Sequence, residues 1–260
     1  MFDANFHTHT IYDDGTDSPE EMVLEAISIG LKAIGFSVHS YLPYENDWCI
    51  KKADEKEYIK EIGRLKKKYA GDIRIYNGIE LDYYSDQAAE DYDYVIGSVH
   101  TLLIDGKFYD LDDTPEKLVT LAEEKYSGNI YSLIDDYYSL VSEIYSRTSC
   151  DIIGHFDLIS KFNENGDLFD PADSRYISAY RNAADSLAGC SAIFEVNTGA
   201  VARGYRKDPY PAYDVYEYLE SRGARFILTS DCHAKENLIF GFEDALSRYG
   251  NIGTDLKQSC

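Results

Sequence analysis

Seven short runs of β-branched, aromatic and small apolar residues recur along this chain, and most give way to a turn and then to a longer stretch with helical spacing. The runs cover residues 5–10, 33–39, 73–82, 94–102, 151–157, 192–198 and 225–233. Helical spacing follows at 54–69, 114–126, 173–188 and 213–221, and Ser18-Pro19-Glu20-Glu21 reads as a helix start with Ser18 as N-cap. Strands alternating with helices imply parallel βαβ units. No repeat, linker or second composition zone divides the 260 residues, so the pattern predicts one α/β barrel domain over 1–260. A Tyr-rich helical stretch at about 129–147 reads as an elaboration on one connection.

Composition removes several function classes. The formal net charge is −22, which repels a phosphodiester backbone and disfavours nucleic acid as a partner. Much of that charge reads as solubility, and bound divalent cations would offset part of it. No stretch has the ~18 consecutive apolar residues of a membrane span, and no signal peptide is visible at the N-terminus. The five cysteines, Cys49, Cys150, Cys190, Cys232 and Cys260, are widely spaced and form no CxxC, which argues for a reducing cytoplasm and against a thiolate zinc site.

The histidines carry the strongest functional signal. The six are His7, His9, His39, His100, His155 and His233, and each falls at or near the C-terminal end of a candidate strand. In parallel barrels that end carries the active site. A lone histidine is usually structural or on the surface, but six in this placement form a pattern. Glu80 and Asp231 also close apolar strands, where an unpaired carboxylate is costly to bury. Residues i and i+2 of a strand share a face, so His7 with His9, and Asp231 with His233, are expected to reach a common ion. Cys232 then points the other way, into packing. Imidazole and carboxylate ligands suit zinc, iron or manganese.

The segments "HTHT…DDG", "FSVHS", "NGIELDY", "YVIGSVH", "IIGHFDLI", "FEVNTG" and "LTSDCH" resemble the polymerase-and-histidinol-phosphatase (PHP) superfamily, and within it the monofunctional histidinol-phosphate phosphatases. The resemblance runs from Phe6 to His233. It implies a distorted (β/α)7 TIM-like barrel with three divalent metal ions at the C-terminal ends of the strands. Carried onto this chain, His7, His9 and Asp231 would hold the first ion, and Glu80 would bridge it to a second held by His100 and His155. His39 and His233 would hold the third, with Asp14 as ninth ligand from the loop after HTHT. Two departures stand out: Asp13 occupies a place where Ser is common, and Val38 replaces an Asp before His39, altering what surrounds that imidazole.

The implied activity is hydrolysis of a small phosphate monoester, L-histidinol phosphate, to L-histidinol and inorganic phosphate in histidine biosynthesis. Clustered divalent ions make hydroxide available at neutral pH and stabilise attacking and leaving oxygens; Glu80, Asp231 and His233 are the catalytic candidates. For phosphate, the loop "NTGAVARGYRKDPYP" offers Arg203 first and Arg206 second, and Lys161 is a weaker candidate. Glu195 could meet a substrate amine or support a ligand histidine, and Asp157 reads as structural. A superfamily phosphoesterase acting on nucleotides or nucleic acid is the alternative enzyme, and a non-catalytic metal-stabilised binding module the alternative from another class.

Overall fold

A capping box opens the first helix. Ser18 Oγ accepts from the Glu21 amide at 3.3 Å, and the Glu21 carboxylate accepts from the Ser18 amide at 3.0 Å, which satisfies two amides that a helix start otherwise leaves orphaned. The computed structural model describes residues 2–44, 46–250 and 252–256. In chain order it contains β1 (Ala4–Asn5), α1 (Pro19–Ser28), β2 (Ala33–His39), α2 (Glu55–Lys68), β3 (Arg74–Asp82) and β4 (Tyr94–Ser98). There follow β5 (Thr101–Ile104), β6 (Lys107–Asp110), α3 (Pro115–Tyr126), α4 (Ile130–Thr148), β7 (Ile152–Ile153) and α5 (Ser174–Leu187). The remainder comprises β8 (Ile193–Asn197), α6 (Gly199–Ala202), α7 (Tyr213–Ser221), β9 (Phe226–Thr229) and α8 (Phe242–Tyr249).

Seven parallel strands run in the order β1-β2-β3-β4-β7-β8-β9. The ring is nearly closed where Thr8 bridges Cys232 and the His9 amide donates to the Cys232 carbonyl at 2.9 Å. This is the expected distorted barrel. Its interior is filled by Phe6, Tyr94, Ile96, Ile152, Ile193 and Ile227. Tyr94 spans the interior to donate to the Phe6 carbonyl at 2.6 Å. Gly78 makes this possible, since a Cβ there would lie 2.2 Å from the Tyr94 ring. Outside, α1 and α2 cover the sheet through Met22, Val23, Tyr58, Ile62 and Leu65. The Tyr-rich α4 packs with α5 in a second layer that buries Leu133, Tyr137, Tyr138 and Tyr176, each such side chain worth roughly 1.5–3 kcal/mol. Among the described residues no helix is long and apolar enough to cross a membrane.

Four strands stop short of their expected ends, for one recurring reason: side chains take over the backbone amides. The His7 amide donates to Asn5 Oδ1 at 3.2 Å and the Thr8 amide to Ser37 Oγ at 3.0 Å, so β1 ends at Asn5. The His155 amide donates to Glu195 Oε1 at 2.5 Å, just beyond β7. The His100 amide donates to Asp82 Oδ2 at 3.0 Å and breaks the expected 94–102 strand in two. After β9, the Ser230 amide turns to Asn5 Oδ1 at 3.3 Å and Asp231 adopts a left-handed φ of 44°. Asp231 and His233 therefore do not meet by simple strand alternation. The hairpin β5–β6 was not foreseen, although its turn residues Asp105 and Gly106, both at positive φ, carry the strongest short hairpin signal.

Candidate metal centre

In-register pairing of β2 with β3 ends on His39 beside Glu80. His39 Nδ1 consequently lies 2.9 Å from Glu80 Oε2. His7 Nε2 approaches the same oxygen at 3.2 Å and His9 Nε2 at 3.5 Å. Asp231 Oδ1 stands 3.2 Å from His9 Nε2 and 3.6 Å from His7 Nε2. On the other carboxylate oxygen, His155 Nε2 lies at 2.9 Å and His100 Nε2 at 3.3 Å. Asp14 Oδ1 reaches His233 Nε2 at 3.2 Å and His39 Nε2 at 3.7 Å. All nine expected ligand side chains thus come to one place.

The donor set fits divalent cations. Despite these approaches, among the described residues His7 Nε2, His9 Nε2, His39 Nδ1 and Glu80 Oε2 are buried and make no hydrogen bond of acceptable geometry. Orphaned polar atoms of this kind cost roughly 1–3 kcal/mol each. Ligands ~2.1 Å from a tetrahedral ion lie ~3.4 Å apart, close to the 3.2–3.6 Å separations among His7, His9, Glu80 and Asp231. Three sets could each hold an ion: His9 with Asp14, His39 and His233; His7 with His9 and Glu80; and His39 with Glu80 and His100.

Three imidazoles are oriented from behind by carboxylates. His7 Nδ1 faces Glu195 Oε2 at 2.8 Å, His9 Nδ1 faces Asp13 Oδ2 at 2.7 Å, and His100 Nδ1 faces Asp82 Oδ2 at 3.2 Å. Each contact directs the opposite ring nitrogen toward the cluster, as in carboxylate–histidine–metal triads. Of the two readings open for Glu195, the geometry favours support of a ligand histidine over the substrate amine: its carboxylate is buried and also engages the His155 amide, Asn197 and Thr229. Asp13 accounts for both departures seen in the sequence, since it supports His9 and accepts from the His39 amide at 3.0 Å. Asp82 was missed, although it stands two residues after Glu80 on the same face of β3.

Electrostatics follow the burial. For Glu80, burial opposes ionisation, but the His7, His39 and His100 imidazoles hold the carboxyl well below its usual range. Asp231 is lowered likewise, with Arg203 the leading partner against burial. His9 is raised to about 10, because Asp13 and Asp231 outweigh its burial. Such a collection of ionised carboxylates stabilises positive charge at its centre. Gly199, at the start of α6, lets the chain pass close by: a Cβ there would lie 2.8 Å from Asp231 Oδ2.

A cavity of about 250 Å³ opens above the cluster, lined by Asp14, His39, His100, His155, Asp231 and His233 together with Trp48, Lys161, Arg203 and Tyr205. Arg203 donates to Asp231 Oδ2 at 3.1 Å and to His233 Nδ1 at 2.8 Å. Lys161 donates to the Asp112 carbonyl at 2.7 Å and its carboxylate at 3.1 Å. Arg206, the second phosphate candidate, is corrected to a structural residue. It is buried against Ser160, lies 3.5 Å from Asp157 and stacks over Tyr210 at 4.4 Å, away from this cavity's lining. Asp157 also accepts from the Ala212 amide at 2.9 Å, in keeping with its structural reading. Cys232 packs with Met22 and Val38. Cys49, Cys150, Cys190 and Cys232 are free thiols, whereas Cys260 lies outside the described residues. Trp48, Asp110 and Asp112 were missed as lining, because loop and hairpin positions carry no periodicity that reveals which way they face.

Residues 5–199 match the family described as PHP domain. A "Probable histidinol-phosphatase" of Deinococcus radiodurans is 33% identical, over 97% of this chain and 94% of the relative. A crystal structure from Listeria monocytogenes superposes with a TM-score of 0.79 at 21% identity, covering 93% of this chain and 99% of that one. Histidinol phosphate phosphatase of Lactococcus lactis, solved with zinc, L-histidinol and phosphate, gives a TM-score of 0.72 at 20% identity, covering 97% of this chain and 94% of that one.

Proposed function

The chain belongs to the PHP domain family, and from that premise we propose that it is a metal-dependent histidinol-phosphatase. It is a phosphoric monoester hydrolase that converts L-histidinol phosphate to L-histidinol and inorganic phosphate, a step of histidine biosynthesis. The observation that carries the reading is the convergence of nine His, Asp and Glu side chains, among which His7 Nε2, His9 Nε2, His39 Nδ1 and Glu80 Oε2 are buried without a hydrogen bond among the described residues. His7, His9, Asp14, His39, Glu80, His100, His155, Asp231 and His233 would hold up to three divalent ions, and imidazole with carboxylate suits zinc, iron or manganese. When bound, such ions lower the pKa of coordinated water toward ~7 and stabilise charge on the phosphoryl oxygens.

The chain's own residues bind and orient around that centre. Glu80 faces three imidazoles through one carboxylate oxygen and two through the other and is suited to bridging. Arg203, fixed on Asp231 and half-exposed to the cavity, is suited to a non-bridging phosphate oxygen. Lys161 offers a second positive charge in the same cavity. A space of about 250 Å³ suits a small ester, and the charge of −22 opposes a nucleic-acid strand. The free thiols support a reducing, cytoplasmic setting.

The test is phosphate release by the metal-replete protein from L-histidinol phosphate, a nucleoside monophosphate and a single-stranded oligonucleotide, with elemental analysis of the same sample. Preferred turnover of histidinol phosphate with two or three ions per chain is expected. Preference for either nucleotide substrate, or a metal-free active protein, refutes the reading.

A further inference from the structure

The cavity wall includes a half-buried indole that neither the ligand cluster nor the phosphate-facing cations account for. Trp48, the chain's single tryptophan, stands 5.0 Å from His39, nearly perpendicular to it, and 5.3 Å from His100. Its loop is fastened on both sides. Beyond it, the Ile50 amide donates to the His39 carbonyl at 3.1 Å. Before it, the Tyr44 ring stacks on Phe108 of β6 at 4.7 Å, and the Tyr44 hydroxyl donates to Asp110 Oδ1 at 2.6 Å. These anchors place Trp48 in the wall of the cavity, and the same latch brings Asp110 into that wall.

We propose that Trp48, with Asp110 in the same cavity wall, is a specificity-determining residue that receives the imidazole and protonated amine of the substrate. The proposal rests on the histidinol-phosphatase reading and deepens it. An aromatic wall attracts a cation through its ring quadrupole and offers a flat apolar surface to a heteroaromatic ring. A carboxylate in the same wall complements the ammonium group. Burial already raises the Asp110 carboxyl, with Asp112 adding to the effect. An adjacent ammonium ion would favour its ionised form. A leaving group without ring or charge gains nothing from these two side chains, so their contribution is to selectivity between esters. Glu195, the other carboxylate considered for the amine, is sealed behind His7.

The experiment compares kcat/KM for L-histidinol phosphate and for glycerol 3-phosphate in wild type, Trp48→Leu, Trp48→Phe and Asp110→Asn, with bound metal measured in each. Trp48→Leu and Asp110→Asn should each lower the histidinol-to-glycerol preference about tenfold, the size expected when a cation–aromatic or charge-assisted contact is lost. Trp48→Phe should recover most of the preference. An unchanged ratio in Trp48→Leu overturns the inference, as does an equal loss on both esters accompanied by loss of metal, which would make Trp48 a shield for His39 and His100 only. Failure of the wild type to hydrolyse histidinol phosphate would overturn the function itself, and this inference with it. Wild-type turnover with an unchanged ratio overturns the inference alone.

Discussion

Glu80 sits where two demands meet: its carboxylate is fully buried, and four imidazoles crowd its two oxygens within 3.3 Å. A neutral amide of the same shape keeps the packing but loses the charge and one acceptor. Glu80→Gln is expected to lower turnover of histidinol phosphate by roughly a thousandfold or more, with circular dichroism unchanged and bound metal reduced; near-normal turnover would remove Glu80 from the bridge. Glu195→Gln tests the contact behind His7. Loss of such an orienting carboxylate typically weakens metal affinity about 10–100-fold, read by competition with a chelator, whereas an effect on KM alone would restore a substrate role. At this scale the ligands were legible because metal chemistry dictates both residue type and position at strand ends. The supporting carboxylates were less so: Glu195 was open between substrate and histidine, Asp13 and Asp82 look in sequence like any other acidic residue, and only the fold shows which side of an imidazole each one occupies.

The connection after β8 shows what elements add. It carries Arg203 and Arg206, three residues apart, and the short helix α6 sends one to the cavity and the other into the packing beneath it. Sequence supplies two similar cations on one loop and no periodicity to separate them. Arg203→Ala should raise KM and weaken inhibition by inorganic phosphate about tenfold or more, in line with the loss of a charge-assisted hydrogen bond, while the melting temperature changes little. Arg206→Ala should do the reverse. It leaves the Asp157 carboxylate buried without its cation, a loss of about 3–5 kcal/mol, so a thermal melt should fall by about 10 °C. A large KM effect from Arg206→Ala, with stability retained, would exchange the two roles. Strand positions were readable from apolar runs, but their ends were not. Side chains such as Ser37, Asp82 and Glu195 claim the amides that would have continued the ladders, and those claims come from other segments of the chain.

Across the whole molecule, charge and fold are linked through the centre of the barrel. Acidic residues number 47 against 25 basic ones, and Glu80 and Asp231 are ionised inside the site that all seven strands converge on. With cations bound, those carboxylates attract. Without them, mutual repulsion adds to the self-repulsion of a surface at −22. Any ligand that binds only the folded chain stabilises it by mass action, about 2.7 kcal/mol at a hundred times its dissociation constant. Chelation should therefore lower the melting temperature by about 5 °C or more and abolish phosphate release, both restored by added zinc or manganese. The drop should be larger at low ionic strength, because salt screens exposed charge over ~10 Å at 0.1 M and leaves buried charge largely unscreened. Calorimetry with and without chelator at two salt concentrations checks this. A melting temperature indifferent to chelation would mean that the nine side chains satisfy one another, and that no cation links the two ends of the sheet at His9 and Asp231.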